Sequence, residues 1–106
     1  MGRPGRLRAP GEGPEPLEAL AEEYLTWLAV DRGRARSTLE AYRRDLLAYQ
    51  RFVRRAGRSL GEADPALIDA YLSNRRAEGA SPASLARAVA AIRGLHRFAA
   101  DERGEA

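Results

Sequence analysis

The sequence predicts an all-α domain of four helices behind a disordered leader, and three observations carry that expectation. Apolar residues recur three and four positions apart over long stretches, which is the period of a helix buried on one side. Each stretch opens and closes on residues that start or stop helices. No stretch shows the strict two-residue alternation of a half-buried strand. With 106 residues and 44% hydrophobic content, the chain has enough apolar surface for one modest core.

Residues 1–16 alternate glycine and proline with arginine and glutamate, a composition that cannot bury enough apolar surface to offset the entropy of ordering. They are expected to form a disordered leader. From Leu17 the residues Leu20, Ala21, Tyr24, Leu25, Leu28 and Ala29 follow the helical template, and Gly33 marks the end of a first helix. A second helix is expected to open on Ser37-Thr38-Leu39-Glu40, read as a capping box, and to close at Gly57. Asp64-Pro65 supplies an N-cap followed by proline at the first helical position, starting a third helix through Leu67, Ile68, Tyr71 and Leu72 to Gly79. Ser81-Pro82 repeats the device for a fourth, running through Leu85, Val89, Ile92, Leu95 and Phe98 and fading near Gly104. The expected division is therefore a leader at 1–16, a helical domain at 17–103, and the start of a linker at 104–106.

The absence of cysteine removes disulfides, thiol catalysis and cysteine-based zinc sites. No apolar run approaches the roughly 18 residues of a membrane span, and the leader lacks the apolar segment of a signal peptide. A soluble cytoplasmic protein without metal or cofactor is expected. His96, the single histidine, sits at the edge of an apolar face with no serine, cysteine or paired carboxylate converging on it by spacing, so packing is expected of it and no catalytic residue is assigned. Tyr24, Tyr42, Tyr49 and Tyr71 occupy apolar helical positions, and Trp27 lies beside the first helix's stripe.

Charge is where the chain departs from an ordinary helical domain. The formal net charge is only +3, yet nine arginines lie between Arg32 and Arg58 against two acids, Glu40 and Asp45. At about 100° per residue, Arg43, Arg44, Arg51, Arg54, Arg55 and Arg58 fall within an arc of about 120° on the second helix. Leu39, Tyr42, Leu46, Tyr49 and Val53 fall within a separate arc of about 80°, and Leu47 alone breaks the division. Six like charges in one stripe repel one another unless an anion faces them, and duplex DNA is such an anion. On the fourth helix Arg87, Arg93 and Arg97 lie away from Leu85, Val89 and Ile92, with the small residues Ala90 and Gly94 between them. That low strip suits either a DNA backbone or another helix.

The run Ser37-Thr38-Leu39-Glu40-Ala41-Tyr42-Arg43-Arg44-Asp45-Leu46 resembles, without a gap, the Thr-Leu-x-x-Tyr-x-x-Asp-Leu signature of the core-binding domain of tyrosine recombinases, above all the Xer group. The run Leu85 to Phe98 is similar to the same family's paired arginines, here Arg87 and Arg93, followed by an apolar and aromatic ending. Helix order and spacing agree over roughly Leu17 to Asp101. The resemblance implies a four-helix SAM-like domain that forms one half of a clamp on double-stranded DNA, its second and fourth helices against the major groove. With the arginine faces of the second and fourth helices, Thr38, Arg43, Arg44, Arg51, Arg54, Arg55, Arg87, Arg93 and Arg97 are the expected DNA-contacting residues; the resemblance makes Arg43, Arg44 and Arg87 the best placed for bases, with Arg51 expected at phosphate.

It further implies two kinds of partner: a C-terminal catalytic domain of the same protein and other recombinase subunits in a tetrameric synapse. The implied setting is the bacterial cytoplasm, at the nucleoid, in DNA recombination during chromosome-dimer resolution, a step of chromosome partition in the cell cycle. The family's tyrosine nucleophile, arginines, histidine and lysine belong to that catalytic domain. This chain has no lysine, and Ala99 stands where a His-x-x-Arg signature from His96 needs arginine, so it is not expected to be an enzyme by itself. Two alternatives remain at this level: the core-binding domain of a phage or transposon integrase, and a helical protein-interaction module whose arginine face meets an acidic partner. A helix-turn-helix regulator fits less well, because Gly57 to Ala63 is longer than that motif's turn.

Overall fold

The computed structural model describes residues 15–102, so residues 1–14 of the expected leader and the expected linker at 104–106 lie outside the described residues. Four α-helices follow in order: α1 (Ala19–Val30), α2 (Arg36–Arg55), α3 (Pro65–Ala77) and α4 (Pro82–Glu102). A single 3₁₀ turn, Leu60–Glu62, joins α2 to α3, and the described residues contain no strand. α2 and α4 pack most extensively against each other, α1 lies against both, and α3 closes the far side against α4 and α2.

The local signals act where the residues are free to use them. Asp64 accepts the Leu67 amide at 2.9 Å and places Pro65 at the first position of α3, where a missing N–H costs nothing. Ser81 Oγ accepts the Ser84 amide at 3.1 Å at the start of α4. Gly33, Gly57 and Gly79 all have positive φ, and each follows the end of a helix, where the chain must leave by the left-handed region.

The capping box expected at Ser37–Glu40 is not formed. α2 begins at Arg36, with Ala35 at its N-cap and no side-chain cap bond, so Ser37 and Glu40 both lie inside the helix and are exposed. The turn at Gly33, closed by a 3.0 Å bond from the Arg34 amide to the Leu28 carbonyl, delivers the chain to its helical start before Ser37 is reached. The motif is instead realised at Ser59-Leu60-Gly61-Glu62, where the Glu62 carboxylate accepts the Ser59 amide at 2.8 Å. It fixes the 3₁₀ turn that carries Leu60 into the core.

Leu46, Tyr49, Val53, Leu60, Ile92 and Leu95 are fully buried. Leu47, the exception on the helical wheel, is half-buried against the same core. Ring pairs extend it at both ends, with Tyr24 and Trp27 on Phe98 at 5.7 and 5.4 Å and Tyr49 and Phe52 on Tyr71, each at 5.3 Å. Gln50 is also fully buried. Its Nε2 donates to Glu15 Oε2 and to the Pro16 carbonyl at 2.8 and 2.9 Å, and its Oε1 accepts the Glu18 amide at 2.8 Å. One buried side chain thereby ties the segment entering α1 to α2.

Gly94 decides between the two readings of the low strip on α4. Tyr24 of α1 lies where a Gly94 side chain would be, its hydroxyl and ring carbon Cζ both too close for a Cβ. α1 therefore packs against this part of the strip. Gly94→Ala should lose about 1 to 3 kcal/mol to overpacking, toward the upper end because a Cβ meets both the hydroxyl and Cζ of Tyr24, against the roughly 1 kcal/mol that alanine gains in helix propensity. Thermal melts of Gly94→Ala alone and with Tyr24→Phe check this, since removing the hydroxyl should recover part of the loss. An unchanged melting temperature in the single variant would contradict the contact.

Candidate nucleic-acid interface

The α2 arginines point outward as the wheel requires, but the fold brings acids to some of them. Arg43 donates from Nη1 and Nη2 to both carboxylate oxygens of Glu22 at 2.9 and 2.8 Å. Arg54 donates from Nε to Glu18 at 3.2 Å and lies 3.5 Å from Glu15, while Arg51 lies 3.7 Å from Glu15. Arg58 donates to Asp64 at 2.9 Å. The repulsion along the stripe is thus relieved partly by the acids of α1 and the segment before it. The hydrogen bond from Arg43 holds the Glu22 carboxyl below its ordinary range.

Arg44 and Arg55 on α2 and Arg93 and Arg97 on α4 are exposed and form no ion pair with the described residues. Thr38, in the first turn of α2, is half-buried. Arg87 is held differently from the rest. Its Nε and Nη2 donate to the two oxygens of Asp45 at 2.8 and 3.0 Å, and the Asp45 side chain is only 7% exposed against 41% for Arg87.

Of the nine residues expected from the sequence, four arginines are therefore unpaired cations, four arginines are paired, and Thr38 carries no charge. The Arg43–Glu22 pair is exposed on both sides and contributes only about 0 to 1 kcal/mol, while Arg51 and Arg54 are about half exposed and meet carboxylates that are 21% and 17% exposed. A groove of about 510 Å³ reaches one of the unpaired set, Arg97, and is lined also by Trp27, Arg32, Arg34, Tyr42 and Ala90 among others; Arg32 stacks over Trp27 at 5.8 Å. Its rim is of mixed sign, with Asp101 and Glu102 beside the further cations Arg32 and Arg34. Sequence reasoning did not select these two arginines, although they belong to the same charge run.

The tyrosines have core environments. Burial pushes the Tyr24 hydroxyl up to about 12 and raises Tyr49 and Tyr71 as well, so all three stay protonated at neutral pH. His96 Nε2 lies 2.9 Å from the Tyr49 hydroxyl, and burial lowers the imidazole's pKa. Below the ordinary value of 6.5 the unfolded chain takes up a proton that the folded chain resists, so stability should fall as pH drops below about 6.5. Glu22, Glu62 and Asp64, all depressed, extend the loss below about pH 4.5. Urea melts across this range should show both phases, with the upper one absent in His96→Gln. An upper phase that survives that substitution would contradict the assignment.

Among the described residues there is no cluster of side chains suited to a metal ion and no helix long and apolar enough to cross a membrane. The family described as phage integrase, N-terminal SAM-like domain matches residues 21–103. The chain is 42% identical over 85 residues to the tyrosine recombinase XerD of Caulobacter vibrioides, covering 80% of this chain and 28% of that protein. It is 38% identical over 80 residues to XerD of Bradyrhizobium diazoefficiens, covering 76% and 25%, and 34% identical over 88 residues to XerD of Staphylococcus haemolyticus, covering 82% and 30%. The chain thus spans under a third of the length of these relatives. No solved structure matches it significantly. The four-helix fold, the family match and these relatives together establish that the chain belongs to the phage integrase N-terminal SAM-like domain family, as the corresponding part of tyrosine recombinases does.

Proposed function

We propose that this chain binds double-stranded DNA at a recombination site, as the clamp half of a tyrosine recombinase whose catalytic half lies in a separate C-terminal domain. The observation that carries the reading is the set of exposed arginines, Arg44, Arg55, Arg93 and Arg97, left without carboxylate partners among the described residues on α2 and α4. A polyanion supplies what the fold does not. Arg43, Arg51 and Arg54 join by exchanging their carboxylates for phosphates, and Thr38 and Arg87 complete the contact.

Strand transfer is assigned to the catalytic domain, with the present domain holding the site in register and meeting other recombinase subunits in a tetrameric synapse. The names of the relatives favour the Xer role, chromosome-dimer resolution in the bacterial cytoplasm, over a mobile-element integrase. The test is a fluorescence-anisotropy titration of a labelled duplex at low salt, with unlabelled duplex and polyglutamate as competitors. Displacement by duplex and not by polyglutamate at equal charge is expected. The reverse order would favour the protein-interaction reading.

A further inference from the structure

Among the ion pairs described above, all but the one between Arg87 and Asp45 have a partly or fully exposed carboxylate, and Arg43–Glu22 shares its two-oxygen geometry. The Glu22, Glu15, Glu18 and Asp64 pairs lie at the surface or involve arginines free to swing away, whereas Asp45 is buried against the domain and accepts Arg87 on both oxygens. A guanidinium has five N–H groups in a fixed plane. Two of them, on Nε and on one side of Nη2, are taken by Asp45. The remaining three form the far edge, where Nη1 and Nη2 present two parallel N–H groups away from the carboxylate. That edge matches two acceptors side by side, as on guanine O6 and N7 in the major groove.

On its own helix Arg87 has room for such an approach, while across from it Tyr42 of α2 lies close enough to act on its charge. The helical neighbours of Arg87 on the outer face of α4, Ala83, Ala86 and Ala90, are all exposed and small, so no longer side chain among these neighbours stands beside the guanidinium. The pair also has no net charge. Unlike Arg44 or Arg97, Arg87 adds little to the long-range attraction for phosphate, and what it offers is direction. A guanidinium already fixed by a buried carboxylate loses less freedom on binding than a free one.

We propose that Asp45 is a positioning residue that presents the outer edge of Arg87 to a single base of the duplex, guanine before any other. The proposal rests on the DNA-binding reading above and adds to it the division of labour between unpaired arginines, which supply affinity, and the one buttressed arginine, which supplies base choice.

The division is tested with the full 106-residue chain and the variants Asp45→Asn, Arg87→Ala and Arg87→Lys. Each is used to select from a pool of duplexes with a randomised core at low salt, and each is titrated against an unselected duplex. Asparagine keeps the shape of aspartate but sets an amide N–H₂ against one arm of the guanidinium and removes the charge, so Arg87 becomes a free cation. Asp45→Asn should therefore bind the unselected duplex more tightly than the wild type while losing a guanine preference of roughly 5- to 150-fold at one position. Loss of folding would lower both quantities, so the opposed changes separate positioning from a merely structural role.

Where Asp45→Asn does not fold, Arg87→Lys carries the test: it keeps the charge beside Asp45 but not the two-edged plane, and should lose more of the guanine preference than of the unselected binding. Arg87→Ala should lose the preference too. Retention of the full preference in Asp45→Asn, or in Arg87→Lys where that variant decides, overturns the proposal. So does a wild-type chain that binds duplexes well with no preference at any position, which leaves the DNA-binding reading standing. A wild-type chain that binds no duplex removes that reading and this proposal with it.

Discussion

Leu46→Ala should destabilise the domain by about 2 to 4 kcal/mol. Leu46 is at the middle of α2 with no exposed surface, in the same core as Tyr49, Val53, Ile92 and Leu95. Truncation removes three carbons from water-free contact and leaves a cavity that these neighbours, themselves fully buried, can refill only in part. For a domain of this size total stability is about 5 to 15 kcal/mol, so the loss takes a large share and should lower the melting temperature by roughly 4 to 8 °C per kcal/mol. Urea denaturation measures it directly. A loss below about 0.5 kcal/mol would be the behaviour of a surface position and would mean that the buried and DNA-facing sides of α2 have been exchanged.

Arg44→Glu should weaken duplex binding on the order of tenfold or more at low salt while leaving the melting temperature unchanged, because it replaces a cation in the binding face by an anion. The side chain is exposed and has no ion-pair partner among the described residues, so the substitution breaks nothing within the domain. Arg44→Ala should reduce the slope of log K against log salt by about one. Anisotropy titrations at several salt concentrations give both quantities. Equal binding by Arg44→Glu and the wild type would remove Arg44 from the interface, and a large fall in melting temperature would show that it has a structural task instead.

What could be read from the sequence follows from the range of the interactions involved. The starts of α3 and α4 were legible because Asp64-Pro65 and Ser81-Pro82 act within one turn of themselves. The start of α2 was misread because the turn at Gly33 and Arg34, a contact back to α1, fixes the helix before the Ser37 signal can operate. The buried face of α2 was legible from periodicity, and so was the direction of its arginines.

The partners of those arginines were not legible. A wheel shows which way Arg43 points but not that α1 turns Glu22 toward it. Gln50 and Asp45 were missed for a related reason, and here a signal existed. On the α2 wheel the two polar residues bracket the apolar arc, each within about 40° of one end. Those are the boundary positions at which a helix meets its neighbours, the segment before α1 through Gln50 and α4 through Asp45. Polar residues at both edges of an apolar stripe mark where helices are tied together.

Presentation of one α2–α4 face to duplex DNA is tested most directly by NMR shift mapping. Titration of ¹⁵N-labelled chain with a short duplex at low salt should move the resonances of Thr38, Arg44, Arg87, Arg93 and Arg97 and their neighbours, and leave the exposed residues of α3 unmoved. Shifts that cluster on α1 and α3, or no shifts at all with duplex present in excess, would contradict that presentation.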